Sequence, residues 1–406
     1  MTANRIYIYV TACVLTVAAS AQEDNISPYS MYGIGELQLS ESGRTAGMAS
    51  TGIGLSGLHF LNPANPAALA ALDTATFIFD LTGSAKGSVF TSGAVTQKAF
   101  SANFTRIAVG THLTPRWSAA LSMQPYSTVN YKVENEAYVE GSETKTTTLL
   151  EGSGGITRLS FLNSIRLTNR FSAGVDFMLL FGSIDRDASQ SGITINRSSS
   201  ANTASFTLGM LYKQPLSGKM VFSAGVTYGY KTSLLFDNSM VVTDASGKSL
   251  FDDNIASSEI VIPESWGAGI SFTGRKMVIA ADYRFQKWSK TRDPLTRIRF
   301  TDTHKFNCGI AFIPSGGAPK TYLELIEYQA GFIISNSYLT LNGVNPLNME
   351  LTAGVGLPLR GGGQLNIGLG LGKRGATNES LVREDYMRIT ISISMSERMF
   401  LKRVYE

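Results

Sequence analysis

The chain has 406 residues, 40 of them glycine, with 43 % hydrophobic and only 16 % charged residues and a formal net charge of +4. A typical soluble domain carries about 25 % charge, and so mild a positive balance over this length excludes a nucleic-acid-binding surface. Cysteine usage excludes more: Cys13 falls in an apolar leader and Cys308 stands alone, so neither an internal disulfide nor a cysteine-based zinc site is expected after processing.

The leader reads MTANRIYIYVTACVLTVAASAQ, with Arg5 before the apolar run 6–17 and Ala19, Ser20 and Ala21 after it. This is the pattern of a secretory signal peptide over 1–21, too short and wrongly flanked for a spanning helix. No later apolar run reaches the roughly 18 residues that a membrane helix needs. An exported, weakly charged, Gly- and aromatic-rich chain points to outer-membrane β structure.

Residues 51–69, TGIGLSGLHFLNPANPAAL, place Gly52, Gly54 and Gly57 in G-x-G-x-x-G order, with Asp73 beyond. A dinucleotide loop needs a strand before Gly52 and a helix opening at Gly57. Yet RTAGMASTG is no buried strand, and Pro63 and Pro66 lack donors and disfavour helix in the residues before them. No cofactor is expected. Leu55, Leu58, Phe60, Leu61 and Leu69 argue against a disordered tail, so 22–73 is expected to fold as a hatch inside a barrel.

Fourteen strand candidates follow, at 74–82, 98–113, 116–135, 154–167, 170–185, 202–214, 218–236, 259–272, 276–290, 302–314, 321–336, 346–357, 362–374 and 384–395. In QLNIGLGLG, Leu365, Ile367, Leu369 and Leu371 alternate with Gln364, Asn366, Gly368 and Gly370; in YMRITISISMS, Ile389, Ile391 and Ile393 alternate with Thr390, Ser392 and Ser394. Period two puts each set on one strand face. An apolar-out face backed by Gly, Ser and Asn is the transmembrane-barrel pattern. On it, Leu369→Arg should be costly and Gly370→Ser, on the lumen side, mild. The strands are expected to pair only with one another.

Connections alternate between short turns, such as Thr114-Pro115 and 273–275, and long polar loops at 83–97, 136–153, 186–201, 237–258, 291–301, 337–345 and 375–383. Short turns fit the periplasmic side. Trp117, Phe171, Tyr212, Phe272, Phe312 and Tyr322 sit beside them, as an interfacial girdle would. The expected fold is all-β, a transmembrane antiparallel β-barrel of about 14 strands over 74–396 with an N-terminal hatch in the lumen, and a periplasmic tail at 397–406. Both termini are expected in the periplasm of a cell whose outer membrane holds the barrel.

SPYSMYGIGELQ (27–38), GRTAGMASTGIGLSG (43–57) and FLNPANPAALAALD (60–73) resemble the start of FadL-type outer-membrane transporters, particularly the branch common in Bacteroidetes. The resemblance implies a fourteen-stranded barrel with a hatch carrying an Asn-Pro-Ala motif, present here twice as Asn62-Pro63-Ala64 and Asn65-Pro66-Ala67. It also implies import of fatty acids or other hydrophobic compounds by lateral diffusion through a gap in the barrel wall. Ile262-Pro263-Glu264-Ser265-Trp266 is a weaker echo of the same family.

Chemistry is sparse. His59, His112 and His304 are far apart, and Asp302, His304 and Ser335 have no specific spacing for a catalytic relay. No metal site and no enzyme activity are expected. His59 is the one histidine within the hatch. Glu350 and Arg388 face the lumen and are expected to pair with hatch groups. The leading expectation is passive uptake of hydrophobic small molecules such as fatty acids, gated by the hatch. The alternative is a non-transporting barrel subunit of a multiprotein outer-membrane envelope machine. Expected partners are outer-membrane lipid and lipopolysaccharide, a hydrophobic ligand, and proteins of such a complex; nucleic acid is not among them.

Overall fold

The computed structural model describes residues 27–38, 42–57, 59–74, 76–93, 95–138, 145–216, 220–291, 299–316, 319, 321–340, 343–359, 362–375 and 382–398. The expected signal peptide, Leu58 and the tail beyond Arg398 lie outside them.

Fourteen antiparallel strands close a ring. The first half is β1 (Thr76–Ser92), β2 (Val95–Thr114), β3 (Trp117–Thr128, resuming as Tyr131–Tyr138), β4 (Lys145–Arg166), β5 (Phe171–Gln190), β6 (Ile193–Pro215) and β7 (Val221–Gly229, resuming as Thr232–Thr243). The second half is β8 (Ser249–Ile262, resuming as Ser265–Thr273), β9 (Met277–Gln286), β10 (Thr303–Phe312), β11 (Glu327–Asn336), β12 (Leu347–Pro358), β13 (Gln364–Arg374) and β14 (Arg383–Arg398). Each strand pairs with its sequence neighbours, and β14 returns to β1 through Phe77↔Glu397 and the rungs above it. The segments expected from periodicity map onto these strands one to one.

The alternation has the expected phase. Leu369, Leu371, Ile389 and Ile391 are exposed on the lipid side, while Asn366, Ser392 and Ser394 are buried inside. Trp117, Tyr212, Phe272, Phe312 and Tyr322 are exposed at the short-turn end, where the Phe222 and Phe272 rings meet, tilted, with centroids 5.1 Å apart across β7 and β8.

The expected long loops at 83–97, 136–153, 186–201 and 237–258 are largely strand. β2, β4, β5 and β6 run for 20, 22, 20 and 23 residues, against the roughly 9–11 that cross a bilayer. At about 3.4 Å per residue, the surplus lifts these hairpins roughly 30 Å above the apolar band. Ser191 and Gly192, with φ of 50° and 81°, make the two-residue turn at one tip. β9 to β13 have only 10 to 12 residues, so one half of the ring stands taller than the other.

The N-terminal segment lies in the lumen. It contains three 3-10 turns, Pro28–Met31, Gly43–Met48 and Pro66–Ala71, and the short strand Glu36–Leu37. Pro28 and Pro66 open their turns, where a missing N–H costs nothing and the fixed φ is already suitable.

Candidate functional site

At the short-turn end the segment presses on inward glycines. A Cβ at Gly209 would collide with the Asn65 side chain, one at Gly225 with the Ile53 carbonyl, and one at Gly309 with the Met48 carbonyl. At Gly331 it would stand 2.6 Å from the Ala49 nitrogen. The glycine excess of the sequence is therefore a belt that lets two backbones touch. Leu61, Leu69 and Leu72 seal the same end by packing on Ile78, Ala108 and Leu162 of the wall.

The Gly52–Gly54 stretch does hold an anion, but the anion belongs to the barrel. The Gly52 and Ile53 amides donate to Asp282 Oδ2 of β9 at 2.6 and 3.0 Å. The two Asn-Pro-Ala motifs share one geometry. Asn62 Oδ1 accepts from the Ala64 amide at 2.8 Å, and its Nδ2 donates to the Gly52 and Leu55 carbonyls at 2.6 and 2.8 Å. Asn65 Oδ1 accepts from the Ala67 amide at 3.0 Å, and its Nδ2 donates to the carbonyls of Ile53 and of Met210 in the wall, at 2.8 and 3.0 Å. Pro63 and Pro66 hold each preceding asparagine extended, which aims the amides. His59 is exposed, and its carbonyl accepts from Arg44.

At the long-hairpin end, Trp288, Phe300 and Tyr338 form an aromatic lid, with ring centroids 4.8 to 5.9 Å apart. The Tyr338 hydroxyl donates to the Tyr32 and Gly35 carbonyls, and Ile34 packs into the same apolar cluster. Between lid and belt lies a cavity of about 370 Å³, lined among others by Lys86, Arg158, Asp176, Arg284, Glu350 and Arg388.

Glu350 and Arg388 pair with each other at 2.8 Å, and Tyr386 donates to the same carboxylate at 2.9 Å. The inward faces of β12 and β14 meet across β13, where the small Gly370 leaves room for the contact. A charged contact between wall and segment runs through Glu36. It meets Arg374 at 2.8 Å and Lys86 at 3.8 Å, and Lys86 reaches Glu384 at 2.7 Å. Burial opposes ionisation of Glu36, but Lys86 and Arg374 outweigh it and hold the carboxyl down at about 2. Asp282, Arg374 and Lys86 were missed from sequence. Their inward parity was readable, their partners were not.

The possible catalytic trio is not assembled. His304 Nδ1 bonds the Tyr283 hydroxyl at 2.7 Å on the outer face, Asp302 accepts from the Ser289 amide at 2.8 Å, and Lys305 rather than His304 stands opposite Ser335. His112 bonds Ser118 at 2.8 Å.

Among the described residues, the wall is interrupted between β2 and β3. β2 and β3 pair only from Ile107↔Met123 down to Thr114↔Trp117. Above that, a register shift at Thr82/Gly83 bulges β2 beside Thr105. Pro125, which has no N–H to give, precedes a second shift in β3. Glu36–Leu37 adds to β3 at this point, as Glu36↔Thr128 and Leu37↔Ser127. The Gln38 amide also donates to the Tyr126 carbonyl at 2.8 Å. The expectation that barrel strands pair only with one another fails here. The cavity reaches the gap at Ser101, Asn103 and Gln124.

A closed fourteen-strand antiparallel barrel with a lipid-facing apolar band defines the class, an outer-membrane β-barrel with a FadL-like fold. The chain belongs to the BamG family, whose model matches residues 3–406. Similar solved structures include the Pseudomonas putida toluene transporter TodX, with a TM-score of 0.60 at 14 % identity over 90 % of this chain and 100 % of that one. The CymD monoaromatic hydrocarbon channel gives 0.58 at 14 % identity over 91 % and 100 %. A Pseudomonas aeruginosa FadL homologue gives 0.58 at 12 % over 89 % and 99 %. At such identities the likeness carries the fold. No curated protein matches.

Proposed function

We propose that the chain is a closed, non-catalytic barrel subunit of a multiprotein outer-membrane envelope machine, of the branch common in Bacteroidetes. The lumen carries this reading. Among the described residues it is filled at one end by the segment on its glycine belt and at the other by the aromatic lid. Here the large apolar side chains Trp288, Phe300 and Tyr338 pack on one another, and the cavity between the ends is lined by ion-paired Glu350 and Arg388 beside Lys86. Bringing hydrocarbon there would strip water from charges. The raised hairpins of β1 to β8 supply partner-facing surface. In this reading residues 27–73 are a structural plug, and the apolar band meets outer-membrane lipid and lipopolysaccharide. Short turns and both chain ends face the periplasm. Mild extraction from native membranes tests it. The chain should migrate in a defined, stoichiometric complex; a chain that migrates alone would sink the reading.

One observation favours a second reading, passive uptake of hydrophobic small molecules such as fatty acids with the segment as gate. The wall gap adjoins the cavity, and the similar structures are described as hydrocarbon and toluene channels. Under that reading, proteoliposomes carrying the protein take up a labelled fatty acid faster than empty ones, and acyl chains co-purify with it.

A further inference from the structure

The wall gap widens upward into a notch with two facing edges. Residues 95–106 of β2 pair only with β1, and Tyr131–Tyr138 of β3 pairs only with β4. Among the described residues, neither edge has a strand on its notch side. The lower rungs are filled: Glu36–Leu37 lies antiparallel on β3, and Ser27 and Ser30 satisfy the Asn130 carbonyl. So this edge accepts an added strand, as the chain's own segment demonstrates, and it continues for eight residues beyond the point where that segment turns away.

Position explains why the open edge survives. Unpaired backbone in hydrocarbon costs several kcal/mol per group. The pairing of β2 with β3 covers the stretch beside the exposed Leu113, Trp117, Leu121 and Met123. The notch opens above them, flanked by Lys98, Glu134 and Glu136, all exposed. Water serves those amides and carbonyls until something better displaces it. Natural proteins normally blunt such edges by cover, bulges or charge.

We propose that the notch is a docking site for an extended strand of a partner outer-membrane protein, inserted between β2 and β3 by backbone pairing. Its register would turn polar side chains toward Ser101 and Asn103, which line the cavity, and apolar ones outward beside Phe100 and Phe104, which are 56 % and 50 % exposed. Main-chain hydrogen bonds supply the affinity and the alternation supplies the selectivity. The proposal rests on the reading of the chain as a subunit.

The test uses the full chain in detergent, with a photo-crosslinking residue at Lys98, at Glu134 or, as control, at Leu351 on the far lipid face. The probe is a synthetic peptide of residues 386–396, an alternating barrel strand, beside the same peptide N-methylated at alternate residues. Labelling at positions 98 and 134 should be saturable, absent at 351, and about tenfold weaker with the methylated peptide, as the loss of one or two net hydrogen bonds requires. Equal labelling by both peptides, or at Leu351, overturns the docking site, as does crosslinking between two copies of the chain in place of the peptide. The same photo-residues in cells separate the two readings. If the stoichiometric complex is recovered but positions 98 and 134 label only lipid, the notch proposal fails and the subunit reading stands. If no complex is recovered, the subunit reading fails whatever the peptide does.

Discussion

Asn65 ties three pieces of chain together, so its removal is more than a lost cap. Asn65→Ala deletes the bond from the Ala67 amide and leaves the Ile53 and Met210 carbonyls without this partner. The cap accounts for about 1 kcal/mol and the orphaned buried carbonyls for about 1–3 more. The variant should expose the lumen segment to trypsin at Arg44 while the barrel keeps its heat-modifiable migration; unchanged protection would refute the role given to the side chain. Gly370 is a second residue whose part is invisible in periodicity. A Cβ there collides with Glu350 Oε1, so serine must displace the carboxylate that Arg388 and Tyr386 hold. Against the mild effect expected from sequence, Gly370→Ser should cost about 1–3 kcal/mol. That cost should largely vanish in a Glu350→Ala background, as a denaturation-based double-mutant cycle would reveal. Leu369, its neighbour, behaves as the alternation implies. It is exposed to lipid in mid-strand, and Leu369→Arg should cost about 2–4 kcal/mol, measured as the loss of folded barrel in vesicles of graded denaturant.

Among the elements, the strand Glu36–Leu37 makes only two rungs of pairing and is anchored by ion pairs to Arg374 and Lys86. The Glu36 carboxyl is lowered from 4.5 to about 2 because Lys86 and Arg374 outweigh its burial. A group depressed on folding contributes its stabilisation above the unfolded value and loses it as pH falls through the folded one. The anchor should therefore be intact at pH 5 and above and weaken progressively between about 4.5 and about 2. Glu36→Gln should remove that dependence, leaving protease protection of residues 27–38 lower at neutral pH and flat through the acid range. A wild-type profile equally flat would show that other contacts hold the strand. Element scale is also where the sequence was most and least readable. The strands of the apolar band announced themselves because one face meets lipid and the other a crowded lumen, and QLNIGLGLG and YMRITISISMS carry that contrast in every pair. Above the band both faces are wet, so 83–97, 136–153, 186–201 and 237–258 lose alternation and look like loops although most of each is strand. The break in β3 was hidden because a bulge is one extra residue, and only Pro125 marks it. The belt glycines were visible as composition but not as contacts, since nothing local says which backbone will press on them.

For the whole molecule, the question is whether the lumen segment closes the barrel or merely occupies it. About eight strands enclose a space that side chains fill, while sixteen or more leave an aqueous channel. Fourteen strands with glycine at the inward positions 209, 225, 309 and 331 leave more space than fourteen strands with ordinary side chains would. The segment is what fills that space. Replacing residues 51–69 by a Gly-Ser linker of equal length removes the side chains of Ile53, Leu55, Phe60, Leu61 and Leu69, all buried, and with them the packing that holds the Gly52 and Ile53 amides on Asp282 Oδ2. It leaves Glu36–Leu37 free to cover the gap beside β3. The ring itself should survive, because each strand keeps its two neighbours and β14 still pairs with β1. The expected outcome is an unchanged β circular-dichroism spectrum with new, ohmic conductance in planar bilayers and greater sensitivity of cells to large polar antibiotics. Gly225→Val should act in the same direction but more weakly, since its side chain would meet the Ile53 carbonyl and unseat the segment without deleting its volume. A linker variant as silent as the intact protein would mean that the aromatic lid of Trp288, Phe300 and Tyr338 closes the barrel alone, and that the belt serves assembly of the fold instead of its seal.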